Sequence, residues 1–191
     1  MAYSEAEYWA ERYRRGGTSG AGSAGGEAAW KTGVVADLAK KIGAKSITDV
    51  GCGDGVVAAE FLRDLPGVDY VGVDIAAECL PPSTAGRRYV VGDAADAGFR
   101  LLPADLVLCF DVLFHASSQE RHDRLVQKLC TAARIGALVI TWNEGALRLG
   151  RLAAHNRFWT LSWPSGVRVA GSDVPGCPAK TLYEVRLEVQ P

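Results

Sequence analysis

The sequence predicts an α/β fold with a mostly parallel sheet, helices on both faces and an antiparallel hairpin at the C-terminal edge. Three observations predict it. Short β-branched runs alternate with helical stretches from Ser46 to Trp142, the pattern of parallel strands joined by crossover helices. A glycine-dense turn, Gly51-Cys52-Gly53-Asp54-Gly55, stands directly between the first such run and the first such helix. Two late segments, GVRVAG and TLYEVRLEV, alternate with period two and suit an antiparallel pair.

Taken in order, residues 1–15 have helical propensity and a partly aromatic face through Tyr3, Tyr8, Trp9 and Tyr13. The stretch GGTSGAGSAGG at 16–26 has the composition of a flexible linker. Helix resumes from Trp30 to Lys41, where Trp30, Val34, Leu38 and Ile42 recur at four-residue steps. SITDV, YVGVD, RYVVGD, ADLVLCF and GALVITW read as strands, VVAAEFL and 120–134 as helices. There is no internal repeat.

Composition narrows the function classes. At 191 residues with 48% hydrophobic side chains, the chain has the size and apolar content of one globular unit. Its 21 basic and 22 acidic residues balance, so no bulk field draws in nucleic acid or an anionic membrane, and an RNA acceptor would need a local patch. No apolar run approaches a membrane span and the N-terminus lacks signal-peptide order, so the cytoplasm is the expected compartment. Five dispersed cysteines fit reducing conditions. Cys109 and Cys130 fall on apolar runs as small buried hydrophobes, and no spacing suggests a metal site.

The glycine turn carries the chemistry. In open α/β sheets, ligands bind beyond the carboxyl ends of strands, where glycine lets the backbone turn tightly and approach the ligand. Asp74 ends the next strand 23 residues after Gly51, where a carboxylate can accept both hydroxyls of a ribose. A dinucleotide fingerprint wants glycine at the sixth position from Gly51, and that residue is Val56, which opposes a nicotinamide cofactor.

The spacing Gly51, Gly53, Gly55 after acidic Asp49 instead resembles the first motif of class I, Rossmann-like S-adenosylmethionine (SAM)-dependent methyltransferases, and the resemblance runs from about Ser46 to Trp142. It implies a sheet of about seven strands, SAM as cofactor and S-adenosylhomocysteine as its product. By resemblance, Gly51, Gly53 and Gly55 pass the methionine part, with Cys52 within the loop and Asp49 at its base. Asp74, with Ile75 beside it, meets the ribose; Asp93 and the backbone of Ala94 meet the adenine; and Phe110 closes the set. Asp74 and Asp93 taken singly also read as turn-formers, and Asp49 as a structural carboxylate.

Methyl transfer is an in-line displacement that needs positioning above all, with a base where the acceptor must lose a proton. Asp111 and His115, just after the fourth strand, are the catalytic candidates; a structural role for His115 is the competing reading. His122, in a charged helix, reads as solvated. The residues Phe110-Asp111-Val112-Leu113 replace the Asn/Asp-Pro-Pro-aromatic motif of adenine and cytosine amino methylases, and no Pro-Cys pair suggests cytosine-carbon chemistry.

Acceptor contacts are expected from two places. One is the basic and aromatic stretch containing Arg148, Arg151, His155, Arg157, Trp159 and Trp163, with His155 and Arg157 as candidates against the alternative of a plain surface helix. The other is the N-terminus, where Arg12-Tyr13, Gly16-Gly17, Ser19-Gly20, Gly22-Ser23 and Lys31 resemble a group of small bacterial methyltransferase-like proteins. Tyr8, Tyr13, Ser19 and Ser23 are its candidates, in an ordered anion-binding nest or in a flexible lid. Residues 1–42 are expected to form the N-terminal helices and lid, and 43–191 the cofactor-binding domain. The expected reaction is O-methylation of a small molecule such as a sugar or specialised metabolite. RNA or protein methylation and a non-catalytic SAM-binding module are the alternatives.

Overall fold

A computed structural model describes residues 3–148 and 155–188. Helices α1 (Glu5–Arg14) and α2 (Gly25–Ile42) precede β1 (Ser46–Val50), α3 (Val56–Phe61), β2 (Asp69–Asp74), β3 (Arg87–Val91) and β4 (Ala104–Phe110). Then come α4 (Gln119–Ala132), β5 (Ala133–Trp142), α5 (Glu144–Arg148), β6 (Val167–Asp173) and β7 (Lys180–Leu187). The seven strands form one sheet in the order β3-β2-β1-β4-β5-β7-β6, parallel except where β7 pairs antiparallel with β5 and β6.

Alternation along β4 shows how the sheet separates two cores. Leu106 and Leu108 point into the cluster formed with Val35, Ala36 and Ala39 of α2 and Phe61 of α3. Val107 and Cys109 point the other way, against Leu125, Val126 and Leu129 of α4. Burial on both faces explains why these strands read as continuous apolar runs. The helix ends are set locally: the side chains of Ser4 and Ser118 accept N–H bonds in the first turns of α1 and α4. Gly43, at φ 64°, closes α2 in the left-handed conformation that glycine tolerates.

Packing departs from the sequence expectation in several places. The fully buried stripe of α2 is Lys31, Val35, Ala36 and Ala39, and the expected apolar residues Trp30, Val34, Leu38 and Ile42 lie beside it, partly buried and packed against the same core. Val35, Ala36 and Ala39 of α2 join the sheet's core, to which α1 and the glycine stretch contribute no buried residue. That stretch carries a 3-10 turn at Ala21–Ser23. His122 is 2% exposed, not solvated, since it shares the inner stripe of α4 with Leu125, Val126 and Leu129. The basic and aromatic stretch is not helical throughout: α5 covers Glu144–Arg148 among the described residues, and residues 155–166 are irregular. Arg151 and the side chain of Arg148 lie outside the described residues.

Candidate active site

Strand β1 has β2 on one side and β4 on the other, so chain direction across the sheet reverses between β1 and β4. A crevice at the carboxyl ends of strands at such a reversal is the expected ligand site. Here it is a cleft of about 810 Å³, the solvent at its mouth included. Gly51, Gly53, Asp74, Ile75, Asp93, Ala94 and Phe110 line it, and the N-terminal segment covers it with Glu5, Trp9, Tyr13, Ser19 and Ser23.

The glycine turn is demanded by both conformation and space. Gly51 and Gly53 have φ of 75° and 55°. A Cβ on Gly51 would fall 2.1 Å from Val112 Cγ2, and one on Gly53 2.4 Å from Ser19 Oγ. The Asp74 carboxylate accepts N–H bonds from Gly53 (2.9 Å) and Ala76 (3.0 Å), locking the turn to the end of β2. Burial raises its pKa, against the pull of those two N–H groups. Asp93 accepts from Ala95 N–H (2.9 Å) and from Arg121 (2.7 Å), and Arg121 also pairs with Glu5 of α1 (2.5 Å).

Three of the expected cofactor residues lie behind the turn and do not line the cleft. Asp49 accepts the Tyr70 hydroxyl (2.8 Å) in the interior, and burial pushes its carboxyl up to about 7. Cys52 is directed at β2, where a Cβ on Gly72 would meet its Sγ at 2.7 Å. Gly55, at φ 71°, faces Tyr89 and Pro81. All three shape the turn from beneath.

The two candidate bases differ sharply. Asp111 sits at φ 61°, the single non-glycine residue in that region among those described. Its carboxylate lies 2.6 Å from Lys31 Nζ and 2.8 Å from Lys180 Nζ. Burial alone would raise this carboxyl, but the two ammonium groups hold it below the usual carboxylate range. With one ammonium against each of its oxygens, Asp111 is an electrostatic anchor whose lone pairs are already engaged, not a free base. His115 lines the cleft with its Nδ1 2.5 Å from the His155 carbonyl. A carbonyl oxygen only accepts, so Nδ1 carries the hydrogen and Nε2 is left as the basic nitrogen. Burial pulls the imidazole down to about 4 against the bond to the His155 carbonyl, which favours the charged ring, so it is neutral at physiological pH.

The acceptor candidates divide. Tyr13 donates its hydroxyl to Ser19 Oγ (3.0 Å), which also accepts from Asp54 N–H (3.3 Å), so the N-terminal segment is stitched to the glycine turn. Ser23 lines the cleft as well. Tyr8, His155 and Arg157 do not line it. Tyr8 stacks on His155 at 4.6 Å, and Arg157 donates to the Ser117 carbonyl (3.0 Å) while lying over Trp159. They buttress the wall that holds His115. The sequence does not single out Glu5, Glu27, Arg121 or Lys180, and Lys31 stands in it only as part of a pattern; Trp9, on the aromatic face expected for the N-terminal helix, does line the cleft. A signal existed for one pair: Glu27 and Lys31 stand four apart on α2, with Lys31 in phase with Val35 and Ala39.

Residues 47–136 match the methyltransferase domain family. That match runs from β1 into β5 and takes in the glycine turn, Asp74, Asp93, Asp111 and His115. Among curated proteins it resembles a tRNA (carboxymethyluridine(34)-5-O)-methyltransferase of Arabidopsis thaliana, with 27% identity over 95 residues; the match covers 49% of this chain but 22% of that protein. Among solved structures, the magnesium protoporphyrin IX methyltransferase of Synechocystis PCC 6803 with bound SAM superposes with a TM-score of 0.62 at 16% identity, over 97% of this chain and 99% of that one. The small RNA methyltransferase HEN1 gives 0.63 at 18% identity, over 84% of this chain and 25% of that one. At these identities the superpositions establish the fold. The methyltransferase domain's own residues fit SAM: a glycine turn without room for a Cβ, a buried carboxylate at the end of β2 and a second carboxylate at Asp93.

Proposed function

We propose that this protein uses SAM to methylate a hydroxyl group of a small, uncharged molecule. The observation that carries this reading is the wall built by α1 and the β4–α4 turn. Trp9 packs edge-on against His115 at 4.9 Å, giving an aromatic surface with a neutral imidazole set into it. The cations beside the cleft are matched by internal carboxylates, Arg121 by Glu5 and Asp93, Lys31 by Asp111 and Glu27. A polyanionic acceptor gains little from such a surface, whereas a flat neutral one gains stacking and burial.

SAM supplies an electrophilic methyl group on a sulfonium centre. For the protein's part, Gly51 and Gly53 let backbone approach the cofactor, Asp74 offers its remaining lone pairs to the ribose hydroxyls, and Asp93 with the Ala94 backbone receives the adenine. His115 Nε2 takes the proton of the acceptor hydroxyl, with Nδ1 held by the His155 carbonyl so that the ring keeps one tautomer. The segment formed by α1 and the glycine stretch acts as a lid that excludes water, pinned by Glu5 to Arg121 and to the Ser117 N–H.

The test is to incubate the protein with methyl-labelled SAM and separate metabolite, RNA and protein fractions, then identify labelled products by mass spectrometry. Label in a small hydroxylated metabolite supports the reading. Label confined to RNA or protein overturns the acceptor class, and SAM binding without label in any fraction favours a binding module.

A further inference from the structure

Four ionisable side chains from three distant parts of the chain meet beneath the glycine stretch. Glu27 and Lys31 come from α2, Asp111 from the end of β4 and Lys180 from the start of β7. Lys31 Nζ lies 2.6 Å from Asp111 Oδ2 and 2.9 Å from Glu27 Oε1; Lys180 Nζ lies 2.8 Å from Asp111 Oδ1 and 2.6 Å from the same Glu27 oxygen. Two positive and two negative charges balance in a site where the Lys31 side chain is 3% exposed. An isolated charge would not be tolerated at such depth, so the four groups act as a unit.

The ammonium of Lys31 has three N–H donors and two face the carboxylates. Its third bond leaves the quartet, running 2.6 Å to the carbonyl oxygen of Gly22. The contact is as close as the chain allows. A Cβ on Gly22 would lie 2.2 Å from Asp111 Oδ2 and 2.9 Å from Lys31 Nζ, so glycine is needed there for space alone. Ser23, next in sequence, lines the cleft, and Ser19 three residues back is joined to Tyr13 and to the N–H of Asp54. The glycine stretch thus has two anchors, one on the cofactor turn through Ser19 and one on the quartet through Gly22.

We infer that Lys31 is a positioning residue for the acceptor side of the site: through the Gly22 carbonyl it holds Ser19, Ser23 and Tyr13 against the cleft. What occupies the cleft rests on the methyltransferase reading, whereas the anchoring is a property of the chain alone and can be measured without an acceptor. Lys31 touches no reacting atom. Asp111 and Lys180 act at one further remove by fixing its ammonium.

Hydrogen exchange by mass spectrometry on two variants tests the inference. Lys31→Met combined with Glu27→Gln removes the third bond while keeping the buried pair of Asp111 and Lys180 balanced. Gly22→Ala separates the stretch from the quartet without altering any charge, and keeps the test open if the double variant fails to fold. Exchange across 18–24 should rise about tenfold or more in both, with β4 and the second half of α2 as protected as in the wild type. Wild-type exchange across 18–24 in Gly22→Ala, or exchange rising uniformly through α2 and β4, would overturn the assignment. Titration of the wild type with S-adenosylhomocysteine in parallel separates the readings: absence of binding refutes the cofactor reading and leaves the exchange result to judge Lys31.

Discussion

His115 donates its Nδ1 hydrogen to the backbone carbonyl of His155 across 2.5 Å, while Trp9 packs its ring against the same imidazole. This relationship makes one nitrogen of His115 a fixed donor and the other a fixed base, and it joins three separated segments of chain at the acceptor wall.

His115→Asn should therefore lower methyl transfer by roughly 10²–10⁴-fold, with S-adenosylhomocysteine affinity near that of the wild type. Its pH behaviour follows from burial. The folded value of about 4 lies below the ordinary histidine value near 6.5, so the neutral form stabilises the fold above that range. This contribution is lost as pH falls from about 6.5 through 4. The acid limb of turnover assigned to His115 should fall near 4; a limb near 6.5 would mean an exposed, differently held ring.

Asp49 titrates in the opposite sense. Burial favours its neutral form and raises its folded value to about 7, so its contribution to stability is present below the unfolded value near 4 and declines as pH rises to about 7. Asp49→Asn keeps an acceptor for the Tyr70 hydroxyl without the buried charge. Thermal denaturation of both proteins between pH 4 and 8 should show the variant gaining on the wild type as pH rises. A constant difference would place the Asp49 proton elsewhere.

Glu5→Gln weakens the pairing of α1 with Arg121, where both side chains are largely buried. The expected loss of global stability is about 1 kcal/mol. Hydrogen exchange in α1 should rise and S-adenosylhomocysteine should dissociate faster, because the lid opens more often. Deleting residues 1–24 should leave a folded domain that binds this ligand and transfers little methyl. Full turnover by the truncated protein would remove the lid from the account.

The sheet was legible because each of its elements declares itself locally. SITDV, YVGVD and ADLVLCF are short, β-branched and apolar, and the glycine turn follows the first of them. The site was legible where its residues stand beside a strand end, as Asp74, Asp93 and His115 do. The buried quartet was not, since Glu27, Lys31, Asp111 and Lys180 are brought together only by the closed sheet, and no spacing announces Lys180. Composition read 16–26 as a flexible linker because its anchors, Asp54 and Lys31, lie outside it. His122 reads as solvated from its neighbours Arg121 and Asp123, yet its three- and four-residue spacing to Leu125 and Val126 marks the buried face of α4.

The most direct measurement is calorimetric titration of S-adenosylhomocysteine into the wild type and into Asp74→Ala. Asp74 is the carboxylate on which both the glycine turn and the ribose assignment depend. A dissociation constant on the order of micromolar is expected for the wild type, with binding weakened by roughly 1–3 kcal/mol in the variant. No binding by the wild type, or equal affinity in the two proteins, would contradict the placement of SAM in this cleft.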